Sequence, residues 1–367
     1  MVLYLIIIFS SVLCFHLTRK KNAFVNISAT AFLPALFAGL RDTTVGYDIE
    51  IYLTRLWNDC TSNHSFQEIL NSNDLIEYGY CLFTYVVSRF TNEMHWFLLL
   101  EHVLVLSMIV YAIRKIGKEN ENQSIGTVLY TILLIFLYNS SLCYARQFVA
   151  LGLFIYSLYP LIRKEYIKYL LLIICATLFH SSAIFMILLV PLFYVVNNQL
   201  ISRNKLLLII AIAGIAIYVF FPLLIAFLAS HDLINAKYII YANKEFSSHK
   251  IDYVVCGVIY ILTYLYRGKN SLTTNNYLTI IRSLCLMSVF LTLCGVYNDV
   301  ASRIVMYLFI IQFALLCICF KESSRQTMRL VYRVFLLFML VRYVYVANLS
   351  NFNQTIPYTS KILNITK

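Results

Sequence analysis

The sequence predicts an all-α polytopic membrane protein, and three observations carry that expectation. Only 13% of the 367 residues are charged while 61% are hydrophobic; soluble domains carry about 25% charged residues. The apolar runs approach the ~20 residues that a helix needs to cross about 30 Å of hydrocarbon. Between the runs, Lys and Arg collect in short clusters: Arg19-Lys20-Lys21, Arg114/Lys115/Lys118, Arg163/Lys164/Lys168, Arg203/Lys205, Arg267/Lys269 and Lys321/Arg325/Arg329. Cytoplasmic loops have that composition, so the net charge of +12 is read as topology and not as a nucleic-acid footprint. A transmembrane β-barrel would show short alternating segments instead. With 5 prolines and 10 glycines there is little room for disordered linkers, and residues 1–367 are read as a single integral membrane domain.

The elements follow in order. Met1 to Leu17 is apolar from its second residue, without a basic leading region or a small-residue cleavage site; it is expected to stay as a first span, 2–18, and not to be a signal peptide. A second span, 23–40, leads to an outer loop over about 41–74. Residues 76–92 are apolar enough to enter the membrane. A full crossing there would put the Arg114 cluster outside, so a re-entrant or interfacial segment is expected. Spans 95–113, 125–142 and 144–162 follow. The run 168–196 is too long for one untilted helix and holds His180-Ser181-Ser182 in its middle, which predicts two shorter helices meeting there on the outer side. Then come 206–228, an outer loop 229–250, span 252–266, span 277–296, an outer turn Tyr297-Asn298-Asp299, spans 302–320 and 330–347, and a tail 348–367 ending outside. That is about twelve crossings of roughly the required length. All six basic clusters then share one face, which the parity did not guarantee.

Most of the ten Cys fall inside apolar runs and read as small buried hydrophobes. No C-x-x-C, D-x-D, H-E-x-x-H or His cluster proposes a metal, and no glycine-rich loop proposes a nucleotide; no metal or cofactor is expected. The informative residues are those that are costly at membrane depth and are therefore candidates for function. They are Arg146 and Gln147 at the outer end of one span, His180, Arg303 near the start of another, and Arg342 in the last. Arg41, Asp48 and Asp299 flank the outer face. Arg41, Arg146, His180, Arg303 and the two aspartates are expected to meet in one outer cavity. Plainer readings stand beside these. Arg146 could snorkel, His180 could be a packed core histidine, and Arg303 could pair with Asp299. Arg282 and Arg333 read as snorkelers at the inner face. Glu77 reads as a helix cap, Glu101 as half of an internal pair, and Asp42 and Glu50 as solvation of the loop. Several arginines near one interface suit a lipid-linked phosphate or diphosphate, because a guanidinium binds phosphate oxygens bidentately. A neighbouring carboxylate can serve as general base.

Ordered landmarks along nearly the whole chain resemble a known family. Gly39-Leu40-Arg41 with Val45-Gly46-Tyr47-Asp48 and Tyr52 resembles a G-L-R…V-G-x-D…Y stretch. Glu77-Tyr78-Gly79-Tyr80 resembles an E-P-G-F element with Tyr78 in place of proline. Arg146-Gln147 resembles an R-Q element, Ala176 to Ala183 an A-x-x-F-H-x-S-A element, Ser302-Arg303 with Tyr307 a late R…Y element, and Ile356-Pro357-Tyr358 a tail P-Y. The family is that of the Wzy-type O-antigen and polysaccharide polymerases, in its EpsG-like branch.

The resemblance implies a GT-C-like helical bundle in the bacterial inner membrane, multi-pass, with its active site facing the periplasm. It implies glycosyl transfer between undecaprenyl-diphosphate-linked oligosaccharide repeat units, without nucleotide sugar or metal. The implied partners are that lipid-linked oligosaccharide, membrane lipid and a separate co-polymerase that sets chain length, with no nucleic acid. In that reaction Arg41, Arg146 and Arg303 would hold diphosphate. Asp48, or failing that His180, would take the acceptor proton. Gly46 would let the backbone approach the sugar, and Gln147, Tyr52, Glu77 and Tyr307 would complete the substrate site. A flippase for the same lipid-linked sugar and an O-antigen ligase are the competing readings.

Overall fold

A computed structural model describes residues 1–62, 64–119, 123–230, 250–266, 271–295, 299–320, 325–351 and 353–366. Among them there is helix and no strand; one isolated bridge joins Ser360 and Ile365. Seven helices among the described residues are long and apolar enough to cross a membrane by length and composition: 23–40, 94–119, 124–141, 145–162, 203–220, 272–294 and 301–320. Four shorter apolar helices, 2–18, 166–177, 181–197 and 251–265, accompany them. The all-α polytopic class is therefore what the chain adopts. The loop expected at 229–250 and the turn at Tyr297-Asn298 lie, apart from their edges, outside the described residues.

The described residues form two compact units, Met1–Ile184 with Tyr332–Lys367, and Phe185–Val331. The first holds α1 (Val2–Thr18), α2 (Ala23–Leu40), α3 (Thr54–Thr61), α4 (Phe66–Ser72), α5 (Tyr78–Ser88), α6 (Met94–Glu119), α7 (Gln123–Ser141), α8 (Ala145–Ile162) and α9 (Tyr166–Thr177). Helix α2 packs on α6 and α1, α8 on α6 and α9, and α7 on α1 and α6. Pro34 lies inside α2 and has no N–H to give to the carbonyl four residues back. That carbonyl, of Thr30, instead accepts from the Ser11 hydroxyl of α1 at 2.8 Å, and Ser11 also bonds the Tyr130 phenol of α7 at 2.7 Å. A proline that would weaken one helix is thus the point where three helices are joined.

The unit has two chemically distinct ends. At one, Arg114 donates to the carbonyls of Arg19 (2.8 Å) and Lys21, and Arg163 pairs with Glu119 at 2.8 Å. Three basic clusters are gathered there. At the other end lie the last turn of α2, the starts of α5, α6 and α8, and the end of α9. The polar stretch expected as a loop at 41–74 is largely helical: a π-helical turn over Ile49–Leu53 runs into α3, and α4 follows. Helix α5 has 11 residues, about 16 Å at 1.5 Å per residue. That is half the hydrocarbon thickness, in keeping with a segment that does not cross.

The second unit contains α10 (Leu189–Asn197), α11 (Arg203–Ser230), α12 (Lys250–Leu265), α13 (Leu272–Cys294) and α14 (Asp299–Phe320). Helix α13 is its hub and packs on α10, α11, α12 and α14. Arg282 of α13, expected to snorkel, is instead buried. Its guanidinium donates to the hydroxyl and the carbonyl of Thr263, both at 2.9 Å, over the Tyr264 ring at 4.1 Å. A side chain that can spend its N–H groups on a neighbouring helix has no need to reach for water. The last helix, α15 (Arg325–Val344), carries Arg342, whose guanidinium lies 4.6 Å from the centre of the Phe136 ring.

Candidate active site

The segment after α2 is built by satisfying a helix end. The last carbonyls of a helix have no partner within it, and here all four find a side chain. Phe37 accepts from the Tyr358 phenol (2.9 Å), Ala38 from Arg41, Gly39 from His95 (3.0 Å) and Leu40 from the Ser360 hydroxyl (2.5 Å). Arg41 also donates to the Leu142 carbonyl at 3.3 Å and is wholly buried. Expected at the outer surface holding phosphate, it is turned inward and grips the turn between α7 and α8. Gly46 meets the same carbonyl. Its φ is +104°, and a Cβ there would sit 2.2 Å from the Leu142 oxygen. A close approach that requires glycine is thus made to the chain's own backbone. Asp42, expected as mere loop solvation, accepts from the Lys361 N–H at 2.9 Å and donates its own N–H to Thr359 at 3.0 Å.

The start of α5 explains the Glu-x-Gly pattern. Glu77 occupies the cap position but makes no side-chain cap bond. Its carboxylate instead accepts from Arg146 at 2.6 Å through one oxygen and from the Ser181 N–H at 3.0 Å through the other. Gly79 donates to the Leu178 carbonyl at 2.8 Å, and a Cβ on it would lie 2.7 Å from that oxygen. The two residues fasten α5 to the break after α9. That break is where the sequence places it: α9 ends at Thr177, and a 3-10 helix begins at Ser181.

His180 sits in the break, buried. Its Nδ1 accepts from the Ser182 N–H (3.3 Å) and faces the Ser182 hydroxyl at 2.7 Å. This bonding assigns the neutral ring's proton to Nε2. The Nδ1 lone pair of His180 is thus engaged by Ser182.

Arg146, in the first turn of α8, is the centre of the cluster. Its Nη1 donates to Glu77 and to the Leu75 carbonyl (3.2 Å), and its guanidinium lies over the Tyr52 ring, 4.5 Å from the centroid. The Tyr52 phenol donates to Asp48 at 3.4 Å. Arg146 and Glu77 are 14% and 18% exposed, so the pair is at the rim and still reachable. Burial pushes the Glu77 carboxyl up, but the Arg146 guanidinium, the nearby His180 and the Ser181 N–H together outweigh it, and its pKa stays below the ordinary value. Four separate stretches, 48–52, 75–79, 146 and 180–182, therefore meet in one place. Gln147 is buried beside them in α8. Arg303 and Tyr307 belong to the second unit, one helical turn apart on α14, with Tyr307 fully buried; the Asp299 side chain lies outside the described residues.

Two features marked in the sequence acquire partners, Glu101 as half of an internal pair and the tail by its Pro-Tyr landmark. Below the site, the Tyr80 phenol donates to the fully buried Glu101 at 3.3 Å. Above it, the tail 353–361 lies along residues 37–47. The Pro-Tyr landmark at 357–358 was the available sign that the tail is not loose.

The cluster can bind and orient an anion at a guanidinium whose direction is fixed by a carboxylate, a carbonyl and an aromatic face. It sets a carboxylate, Asp48, beside that guanidinium through one tyrosine. A family model described as the EpsG family matches residues 22–360. No curated protein and no solved structure matches the chain.

Proposed function

The chain belongs to the EpsG family, and from that premise we propose that it is an O-antigen polymerase. Membership supports a glycosyltransferase-like role in polysaccharide synthesis at a membrane. The finer reading is that it joins undecaprenyl-diphosphate-linked oligosaccharide repeat units. The observation that supports it is the Arg146 cluster at the end of the first unit opposite its basic loops. The excess of Lys and Arg on cytoplasmic loops supports the reading that this end faces the periplasm of the bacterial inner membrane.

In the proposed reaction a hydroxyl of the incoming unit attacks the anomeric carbon of the growing chain. The bond from that carbon to the diphosphate oxygen breaks, and undecaprenyl diphosphate leaves. Arg146 meets the charge that develops on the departing diphosphate; such fixed electrostatic stabilisation is commonly the largest catalytic term. Asp48 takes the proton of the attacking hydroxyl, with Tyr52 holding both groups in register. Arg41 is assigned a positioning role through Leu142, because it is buried.

The test is the Arg146→Ala strain. The expected result is loss of the polymer ladder with a single repeat unit still capped on core lipid. A normal ladder refutes the assignment, and loss of every unit points to a flippase or a ligase instead.

A further inference from the structure

The tail does more than lie on the surface. Three consecutive residues of it touch both walls of the site. The Asn353 carbonyl accepts from the Tyr47 N–H at 3.2 Å and the Gln354 carbonyl from the Gly46 N–H at 3.1 Å. These are the residues directly before Asp48. On the other side the Asn353 amide donates to the Ser140 hydroxyl at 3.4 Å, and the Thr355 hydroxyl donates to the Asn139 side chain. Those residues end α7, one turn before Cys143-Tyr144-Ala145-Arg146. The Thr355 carbonyl is itself held by the Tyr4 phenol of α1 at 2.6 Å. Asn353, Thr355 and Asn139 are buried, so these bonds are shielded from exchange with water.

The two walls are far apart in sequence, and each is a turn between elements. A turn is free to shift by the fraction of an ångström that separates productive from unproductive geometry. The tail takes one bond set from each and so fixes their spacing. Its bonds run to the residues that flank the reacting groups. We propose that Asn353–Thr355 are positioning residues of the polymerase reaction, holding the Asp48 wall and the Arg146 wall at their working distance. The proposal rests on the polymerase reading above.

The experiment uses the full chain in nanodiscs with lipid-linked repeat units. Thr355→Val removes the donor to Asn139 at nearly constant shape, and Thr355→Ser keeps it. The Val variant is expected to lose roughly tenfold to a hundredfold in kcat with little change in KM or melting temperature. The Ser variant is expected to stay near wild type. In hydrogen exchange the Gly46 and Tyr47 amides of the Val variant should open faster. Wild-type kcat in the Val variant overturns the proposal, and so does a Ser variant as impaired as Val. If the wild-type chain joins no units at all, the polymerase reading fails separately. The strap is then judged by exchange: faster opening at Gly46 and Tyr47 together with altered phenylglyoxal reactivity of Arg146 supports it, and unchanged values overturn it.

Discussion

Replacing Glu77 by Gln tests the centre of the site with a single charge. Glutamine keeps an oxygen for the Ser181 N–H, now at 3.0 Å, so the α5 junction retains that bond. What is lost is the charge opposite Arg146 at 2.6 Å. Breaking a fully buried pair costs about 3–5 kcal/mol, and an exposed pair contributes about 0–1 kcal/mol. With exposures of 14% and 18% the pair lies between, and a charge-assisted bond contributes about 1.5–3 kcal/mol. The expected loss of stability is therefore about 2 kcal/mol. The activity loss should be of similar size in free energy, roughly tenfold to a hundredfold in turnover, because a guanidinium without its brace no longer holds one direction.

The pH dependence supplies a second reading of the same pair. The Glu77 pKa is held below its ordinary 4.5 by Arg146, His180 and the Ser181 N–H against the opposing effect of burial. A depressed carboxyl contributes stability that is complete above the ordinary value and disappears as pH falls through the folded value. The wild-type advantage over Glu77→Gln should then be flat from about pH 8 to about pH 5 and shrink at lower pH. The assays are thermal unfolding in detergent across that range and turnover of lipid-linked units in nanodiscs. A Gln variant within about 0.5 kcal/mol of wild type and equally active would refute the reasoning.

Two further substitutions separate assembly from chemistry. Gly46→Ala puts a Cβ 2.2 Å from the Leu142 oxygen at a φ of +104°, and should destabilise by about 3 kcal/mol, read as a lowered melting temperature and poor membrane yield. Asp48→Asn is close to isosteric and leaves the Tyr52 contact an acceptor; it should fold like wild type and lose roughly 10²-fold or more in turnover, measured on purified protein at matched amounts.

Seven of the roughly twelve expected spans have counterparts among the described residues that are long and apolar enough to cross; these were legible because apolar length alone marks them, and the break at His180 because three polar residues interrupt an apolar run. The helices within 41–74 were also written in the sequence. Ser65 and Glu68 form a reciprocal capping box, whose S-x-x-E spacing is a start signal. A reading organised by hydropathy passes over it, since it assigns any polar stretch to a loop. The partners of Arg41 could not be read. They are backbone carbonyls of Ala38 and Leu142, and every residue has a carbonyl, so no residue type announces them. The same holds for the tail, whose contacts to Gly46 and Tyr47 are backbone to backbone.

Sequence sorts the arginines by depth alone, and their partners then divide them differently. Arg282 spends its donors on one threonine and Arg41 on two carbonyls; both are buried and both join segments. Such an arginine cannot serve an arriving diphosphate without first abandoning the helix it holds. Arg146 differs in kind, because one of its partners is an anion. Exchanging the Glu77 carboxylate for a diphosphate oxygen replaces one charge-assisted bond by another of similar strength, while the Tyr52 face and the Leu75 carbonyl can stay in place. The displaced carboxylate keeps the bond from the Ser181 N–H on its other oxygen. In the proposed reaction Glu77 therefore stands in for the substrate between turnovers, and it keeps the guanidinium aimed where the next diphosphate must arrive. That account requires Arg146→Lys to fail even though it keeps the charge. An ammonium is a point donor, and it cannot hold the carbonyl, the ring face and an anion in one plane.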